Sequence, residues 1–250
     1  MKALVTGASS GIGKDISIYL SSLGYDLIIV SRDERKLKSL KKSINTKCKI
    51  ISMDLSNIEN AKDLSRIAIK ENIDILVNNA GYGLFGEFGQ VDLEKEMNMI
   101  DLNVKALHIL TKEVIKSFID KDKGYVLNVA SSAAFMPGGP LLCGYYATKS
   151  YVKSYTLGIY EELRAKKSNV HVSVLCPGPV DTNFNNVAGV SFGIKSLTSE
   201  YVAKYAIDKM FKNKLVIVPG FGIKFSYVFN RFLTEKSLLK IVYKIQKKKE

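Results

Sequence analysis

A single doubly wound α/β domain, with a mainly parallel sheet of about seven strands and helices on both faces, is the fold class this sequence predicts. Three observations carry it. Short apolar runs alternate with amphipathic stretches of helical length from Lys2 to Val218. The first such unit joins strand to helix through a glycine-rich turn. The 250 residues, 46% of them hydrophobic, suffice for one large core, and no Pro-rich or Gly/Ser-rich linker, repeat or low-complexity block divides them.

The first unit reads KALVTGASSGIGKDISIYLSSLGYDLIIVSR. Ala3 to Thr6 is an apolar strand, Gly7, Gly11 and Gly13 mark the turn, an amphipathic helix runs to Leu23 with Gly24 as its stop, and Leu27 to Val30 is the second strand. This order is what a dinucleotide site requires. Glycines let the backbone approach a pyrophosphate, and the helix N-terminus offers it unpaired N–H groups and a positive dipole end. The expected architecture is therefore Rossmann-like.

The spacing TGASSGIG resembles the cofactor loop of the short-chain dehydrogenase/reductase family, in its classical branch, and several further motifs extend the likeness from Lys2 to about Val218. The resemblance implies that Gly7, Ser9, Ser10, Gly11, Ile12 and Gly13 hold the cofactor. A fold that prefers NAD ends its second strand with an acid for the ribose 2′-hydroxyl, whereas an arginine nearby accommodates a 2′-phosphate. Here the matching position is Ser31, and Arg32 stands where NADP-preferring members place a base. NADP(H) is expected over NAD(H). The competing reading has Arg32 balance the charge of Asp33, with Asp33 itself on a ribose.

A polar helix follows from Glu34 to Lys42, and Lys49 to Met53 is the third strand. The resemblance gives Asp54 and Leu55 to the adenine ring; taken alone, Asp54 is a turn or capping residue before the next helix, Ile58 to Lys70. IDILVNNAG supplies the fourth strand, whose exit residues Asn79, Ala80 and Gly81 are implied cofactor contacts, with the amides of Asn78 and Asn79 suited to stitching neighbouring strands. Gly83 to Gly89 is an apolar loop at the rim. A long helix is expected from Leu93 to Phe118, with Asn103 in its middle, where asparagine is a poor helix former. The resemblance assigns Asn103 to a water that relays protons from a lysine. His108 has no evident partner.

The stretch NVASSAAFMPGGPLLCGYYATK carries the chemistry. Tyr145 and Lys149 lie one turn apart on the same helix face, and a cation there favours the phenolate that a proton-transferring tyrosine needs. A serine at the end of the fifth strand, Tyr125 to Ala130, can steady charge on the same oxygen. The family pattern counted forward from Asn128 selects Ser131, whereas counted back from Tyr145 it selects Ser132; the strand end fixes direction better than a loop, which favours Ser131. Tyr146 also approaches Lys149, but the pattern selects Tyr145 and leaves Tyr146 to packing.

The same helix continues to Lys166 and suits a helix-to-helix dimer contact. Val170 to Leu175 is the sixth strand, ending in CPGPVDTNF, where the resemblance places Pro177, Gly178, Val180 and Thr182 at the nicotinamide. Asn183 to Leu197, with Phe184 and Phe192, reads as a substrate lid. A helix from Ser199 to Phe211 and a seventh strand, Leu215 to Val218, complete a cofactor and catalytic unit of residues 1–220. Residues 221–250 form a basic extension in which Phe225, Val228, Phe229 and Phe232 fall at helical spacing and Lys236, Lys240, Lys244 and Lys247 make a stripe. Such a helix can lie on an anionic membrane; packing of its aromatic face over the pocket or a second subunit is favoured.

The net charge of +13 comes from 32 lysines against five arginines spread along the chain, which reads as solvated surface rather than a specific nucleic-acid site. Cys48, Cys143 and Cys176 lack metal-ligand spacing, so no metal is expected, and their odd number gives no disulfide framework; a cytoplasmic protein fits best. The first strand leaves no room for a leader, and no apolar run approaches membrane-spanning length. The expectation is an oxidoreductase, a homodimer or homotetramer, moving a hydride between NADP(H) and a small-molecule carbonyl or secondary alcohol, most simply a hydrophobic ketone or aldehyde. The alternatives are a cofactor-binding but non-catalytic sensor, which would need a degraded tetrad, and a membrane-surface protein.

Overall fold

The computed structural model describes residues 1–182, 196–230 and 233–247. Seven strands form one all-parallel sheet: β1 (Lys2–Thr6), β2 (Asp26–Ser31), β3 (Cys48–Ser52), β4 (Ile75–Asn78), β5 (Gly124–Val129), β6 (Val170–Leu175) and, below, a short edge strand. Their helices are α1 (Gly11–Ser22), α2 (Glu34–Lys41), α3 (Ile58–Lys70), α4 (Leu93–Ile100), α5 (Leu107–Asp120) and α6 (Cys143–Ala165). Beyond β6 come β7 (Val180–Asp181), β8 (Leu197–Thr198), α7 (Ser199–Met210), the edge strand β9 (Val216–Ile217), α8 (Phe221–Phe229) and α9 (Glu235–Lys247).

The sheet order is β3-β2-β1-β4-β5-β6-β9, so the order reverses between β1 and β4. In such sheets the crevice outside the strand carboxyl ends at the reversal is where a ligand finds room. Both faces are covered. One core joins β1, β2 and β4 to α1 and α7 through Ile16, Leu20, Val202 and Met210; the other joins them to α3 and α5 through Leu64, Leu110, Val114 and Phe118. The central strands are apolar on both faces for this reason, as parallel sheets require.

Most expected boundaries lie within one or two residues of those observed, but three features differ. The long helix expected from Leu93 to Phe118 is broken by a π-helical turn, Asp101–Ala106, which contains Asn103. An extra residue per turn redirects the chain and brings the Asn103 side chain inward, where it is buried. The region after β6 also holds an unforeseen two-residue parallel pairing, Val180 with Leu197 and Asp181 with Thr198. The lid expected over Asn183 to Leu197 otherwise lies outside the described residues, Phe184 and Phe192 included, as do Phe232 and the side chain of Val228 in the extension. Finally, the extension packs through Ile223 and Tyr227, not through Phe225 and Phe229, which are exposed.

Candidate active site

Gly7 and Gly11 turn the chain between β1 and α1 with left-handed φ of 65° and 53°. A Cβ on Gly7 would stand 2.7 Å from Asn79 Nδ2, and one on Gly13 would stand 2.4 Å from the same atom and 2.5 Å from the Gly7 carbonyl oxygen. Asn79 Nδ2 occupies that space to donate to the carbonyls of Thr6 and Gly7, at 3.0 and 3.1 Å. The glycines therefore serve strand-to-loop packing. Gly11 has a separate reason: its Cβ would stand 2.8 Å from Thr182 Cγ2, so its absence lets Thr182 reach the start of α1. Ser10 is the N-cap of α1 but its side chain makes no capping bond, and no acid lies in the first turn, which leaves the positive end of the helix to an anion. Ser9 is half-buried, and Ile12 packs against the core.

At the end of β2, Asp33 caps α2 by accepting from the Lys36 N–H at 3.0 Å, which holds its carboxyl below the usual range. Arg32 turns to Asp54 instead, with Nη1 3.7 Å from Oδ2 and 65% of its side chain exposed. Asp54 spends its other oxygen on the Ser56 N–H and hydroxyl, and Asn57 caps α3. The Asp-Leu pair thus divides: Asp54 keeps 43% of its side chain exposed, while Leu55 is a core residue and has only backbone to offer a ring. Ser31 Oγ accepts from the Asp33 N–H.

The exit of β4 is held by Thr6, a residue that sequence reasoning missed. Its hydroxyl donates to the Val77 carbonyl and accepts from the N–H groups of Asn79 and Ala80. Its one signal is a polar residue ending an apolar strand. Asn78 donates to Thr111 and Asn128, and Asn128 donates to Thr156, a fully buried chain that ties β4, β5, α5 and α6 together. Spread over 78 residues, these partners leave no local pattern.

Asn103 clamps the chain beyond Gly81: Nδ2 donates to the Tyr82 carbonyl at 2.8 Å and to Thr148 Oγ1 at 3.2 Å, while Oδ1 accepts the Tyr82 N–H at 3.1 Å. A Cβ on Gly81 would stand 2.7 Å from Asn103 Oδ1 and 3.4 Å from Lys149 Nζ, so this glycine brings the two side chains together.

Ser131 follows β5 in extended conformation and caps the short 3₁₀ turn Ser132–Phe135 by accepting the Ala133 N–H at 3.1 Å. Its hydroxyl hydrogen-bonds Tyr145, so Ser131 rather than Ser132 is the serine beside the phenol. Lys149 Nζ lies 5.9 Å from the centre of the Tyr145 ring and donates to the Val129 carbonyl at 2.9 Å. Electrostatics here depart from the expectation that Lys149 lowers the phenol. Burial dominates, pushing Tyr145 up to about 12 against the opposing bond from Ser131, and Tyr146 adds to the rise. Burial also depresses Lys149 to about 8, with Cys176 opposing. Near neutral pH the phenol holds its proton and the lysine most of its charge. Cys176 is inert, its thiol pushed up to about 12 by burial.

Around Tyr145 stands an apolar wall of Met99, Ala133 and Leu142, with Tyr82, Leu84 and Phe85 against it. Tyr146 belongs to packing, as expected: its ring lies over Gly139 and its hydroxyl accepts from Gln246 of α9 at 2.6 Å. Pro177 accepts the Ser132 N–H at 2.7 Å, Gly178 abuts Ile223 of α8, and Val180 is buried in the β7–β8 pair. Of the described residues of this exit, Thr182 reaches the glycine loop. His108 does have a partner, Tyr151, whose hydroxyl is 2.7 Å from Nδ1, and it stacks on Tyr155. Among the described residues no cluster of side chains could hold a metal ion, and no helix is long and apolar enough to cross a membrane.

Residues 1–189 match the family described as short chain dehydrogenase. An uncharacterized oxidoreductase of Staphylococcus epidermidis is 34% identical over 205 residues, covering 80% of this chain and 86% of the relative. Among solved structures, a short-chain dehydrogenase from Sphingobium yanoikuyae in complex with NADPH superposes with a TM-score of 0.82 at 26% identity, over 92% of this chain and 93% of the other. A bulky-bulky ketone specific alcohol dehydrogenase from Comamonas testosteroni gives a TM-score of 0.77 at 26% identity, over 88% and 86%.

Proposed function

Because the chain belongs to the short-chain dehydrogenase family, we propose that it is an NADP(H)-dependent reductase of hydrophobic ketones or aldehydes, with Asn103, Ser131, Tyr145 and Lys149 as its working residues. One observation carries the reading: a buried phenol, hydrogen-bonded to a serine hydroxyl and held over a buried lysine, stands against an apolar wall. The nicotinamide, when bound, supplies the hydride chemistry. Tyr145 Oη gives its proton to the carbonyl oxygen in reduction and takes it back in oxidation, and a phenol that burial keeps protonated suits the first direction. Ser131 Oγ holds that oxygen as charge develops on it. Lys149 supplies a positive charge beneath the ring and contacts the ribose, and Asn103 fixes the Gly81–Tyr82 backbone next to that ammonium.

The residues fit a dinucleotide. Two left-handed glycines open the turn, the start of α1 is left uncapped by Ser10, and among the described residues Arg32 makes one ion pair, the long contact to Asp54. Because Arg32 is exposed and not committed to Asp33, it can turn to a 2′-phosphate; the NADPH bound by the Sphingobium protein supports the same choice. Fluorescence titration should show NADPH binding more tightly than NADH. In Arg32→Ala that preference should shrink by roughly tenfold, as expected for one charge-assisted contact of 1.5–3 kcal/mol reduced by exposure. Equal affinities in the native protein would refute the preference and leave the fold's cofactor site standing.

Carbonyl substrates with bulky apolar groups, assayed by cofactor oxidation, should turn over faster than small polar ones, in keeping with the apolar wall and with the ketone specificity of the Comamonas neighbour. Ser131→Ala should lower kcat by about 10²-fold, while Ser132→Ala leaves it within about threefold. The opposite ranking would return the role to Ser132. A homodimer or homotetramer formed through α6, where Tyr151 is exposed, belongs to the same reading, and size-exclusion chromatography tests it.

A further inference from the structure

We propose that α8 and α9 form a docking surface for an anionic phospholipid membrane, on which the protein lies without crossing the bilayer. The observation is an inverted helix. α8 is fastened to the domain by one face: Ile223 sits over Gly178, the Tyr227 ring lies 4.2 Å from that of Phe135, and Asn230 Nδ2 donates to Met136 Sδ. The opposite face should be polar. Instead it carries Phe221, Phe225 and Phe229, four residues apart and 85%, 63% and 49% exposed, with the last two rings stacked 5.8 Å apart. Three phenylalanines aligned along a fixed helix are a contiguous apolar ridge, which a soluble surface does not present without a partner.

The charge beside the ridge selects the partner. In α9, Leu238, Val242 and Gln246 face the domain, Leu239 touches Gly138, and Gln246 is bonded to Tyr146, so this helix too is anchored. Its outer side carries Lys236, Lys240, Lys244 and Lys247, all exposed, with Ile241 and Ile245 on one shoulder and Tyr243 on the other. From Phe221 to Glu250 the sequence holds eight basic against two acidic side chains, within a chain of net charge +13. A second copy of so cationic a surface would be repelled, whereas anionic headgroups would be attracted while phenylalanine rings enter the interfacial layer. A nucleic acid would satisfy the lysines and leave the ridge in water. No helix among the described residues can span a bilayer, which fits a protein lying on the surface.

Vesicle binding is read without substrate or cofactor, so its outcome is separable from that of the reductase assay. The full-length chain is floated with phosphatidylcholine vesicles, with and without about one-third phosphatidylglycerol. It should bind the anionic vesicles, lose binding in high salt, and show slowed hydrogen exchange over Phe221–Phe229 when bound. Phe225→Glu with Phe229→Glu, and separately Lys240→Glu with Lys244→Glu, should each weaken binding by at least about tenfold while the thermal melt and turnover stay unchanged. The proposal is overturned if the native chain ignores anionic vesicles. It is equally overturned if the phenylalanine variant binds as well as the native chain, which would mean general adsorption of a cationic protein, or if duplex DNA competes fully and binds both alike. A native dimer that becomes a monomer in the phenylalanine variant would assign the ridge to a second copy instead.

Discussion

Tyr145→Phe should lower kcat for carbonyl reduction by about 10³-fold, with NADPH affinity and melting temperature nearly unchanged. The substitution removes one oxygen and nothing else. The ring keeps its packing against Met99, Ala133 and Leu142, and Ser131 keeps the Ala133 N–H as a partner, so the structural loss is a single hydrogen bond of about 1 kcal/mol. What disappears is the phenol hydrogen-bonded to Ser131, and with it the proton that a forming alkoxide must receive. Stopped turnover with intact cofactor binding supports the reductase. Turnover that survives would hand the proton to another group and reduce the Tyr145–Lys149 pair to packing. The pH dependence adds an independent check. Lys149 carries its charge below about 8 and loses it above, so kcat/KM for the cofactor should fall as pH rises through that value. A profile flat across this range would remove Lys149 from cofactor binding.

The site was legible where its residues act through local geometry. Tyr145 and Lys149 share a helix face because they are four apart, and Ser131 was preferred because a strand end fixes direction; the structure brings these three together. Asn103 drew attention as a poor helix former in a long helical pattern, and the chain answers with a π turn there. Periodicity could not give that turn, because one extra residue in a turn changes the helical phase without changing composition. Leu55 and the Thr6 hub were hidden for a different reason. Whether a leucine faces core or ligand, and what a strand-end threonine bonds, depend on β4, which pairs with β1 from 72 residues away, Ala3 against Ile75.

The basic extension shows the same limit. Of the aromatic face that the spacing predicts, Phe225 and Phe229 share one side of α8, but spacing says that a face exists and not which way it turns. The direction is set by Gly178, which leaves space for Ile223, and by Phe135, which receives Tyr227. Those contacts come from chain segments more than 40 residues upstream.

Gly13→Ala should be the most damaging single methyl addition in the cofactor loop, costing about 2–4 kcal/mol of stability and weakening NADPH binding at least about tenfold. The new Cβ would stand 2.4 Å from Asn79 Nδ2 and 2.5 Å from the Gly7 carbonyl oxygen. The first atom could rotate away, but only by giving up its bonds to the Thr6 and Gly7 carbonyls. The second is backbone and can yield only if the turn from β1 into α1 moves, which displaces the N–H groups offered to a pyrophosphate. Stability and affinity should therefore fall together, with a melting temperature lower by roughly 5–12 °C for a domain of this size. Gly158→Ala provides the control, since a Cβ there meets nothing within 4 Å and a glycine inside α6 is unfavourable by about 0.5–1 kcal/mol, so the same methyl should stabilise. If Gly13→Ala melted with the native chain but lost NADPH, the contact with Asn79 would have slack and the glycine would serve the ligand alone. If it unfolded early yet bound NADPH normally, Gly13 would belong to packing, and the approach of the cofactor would rest on Gly7 and Gly11.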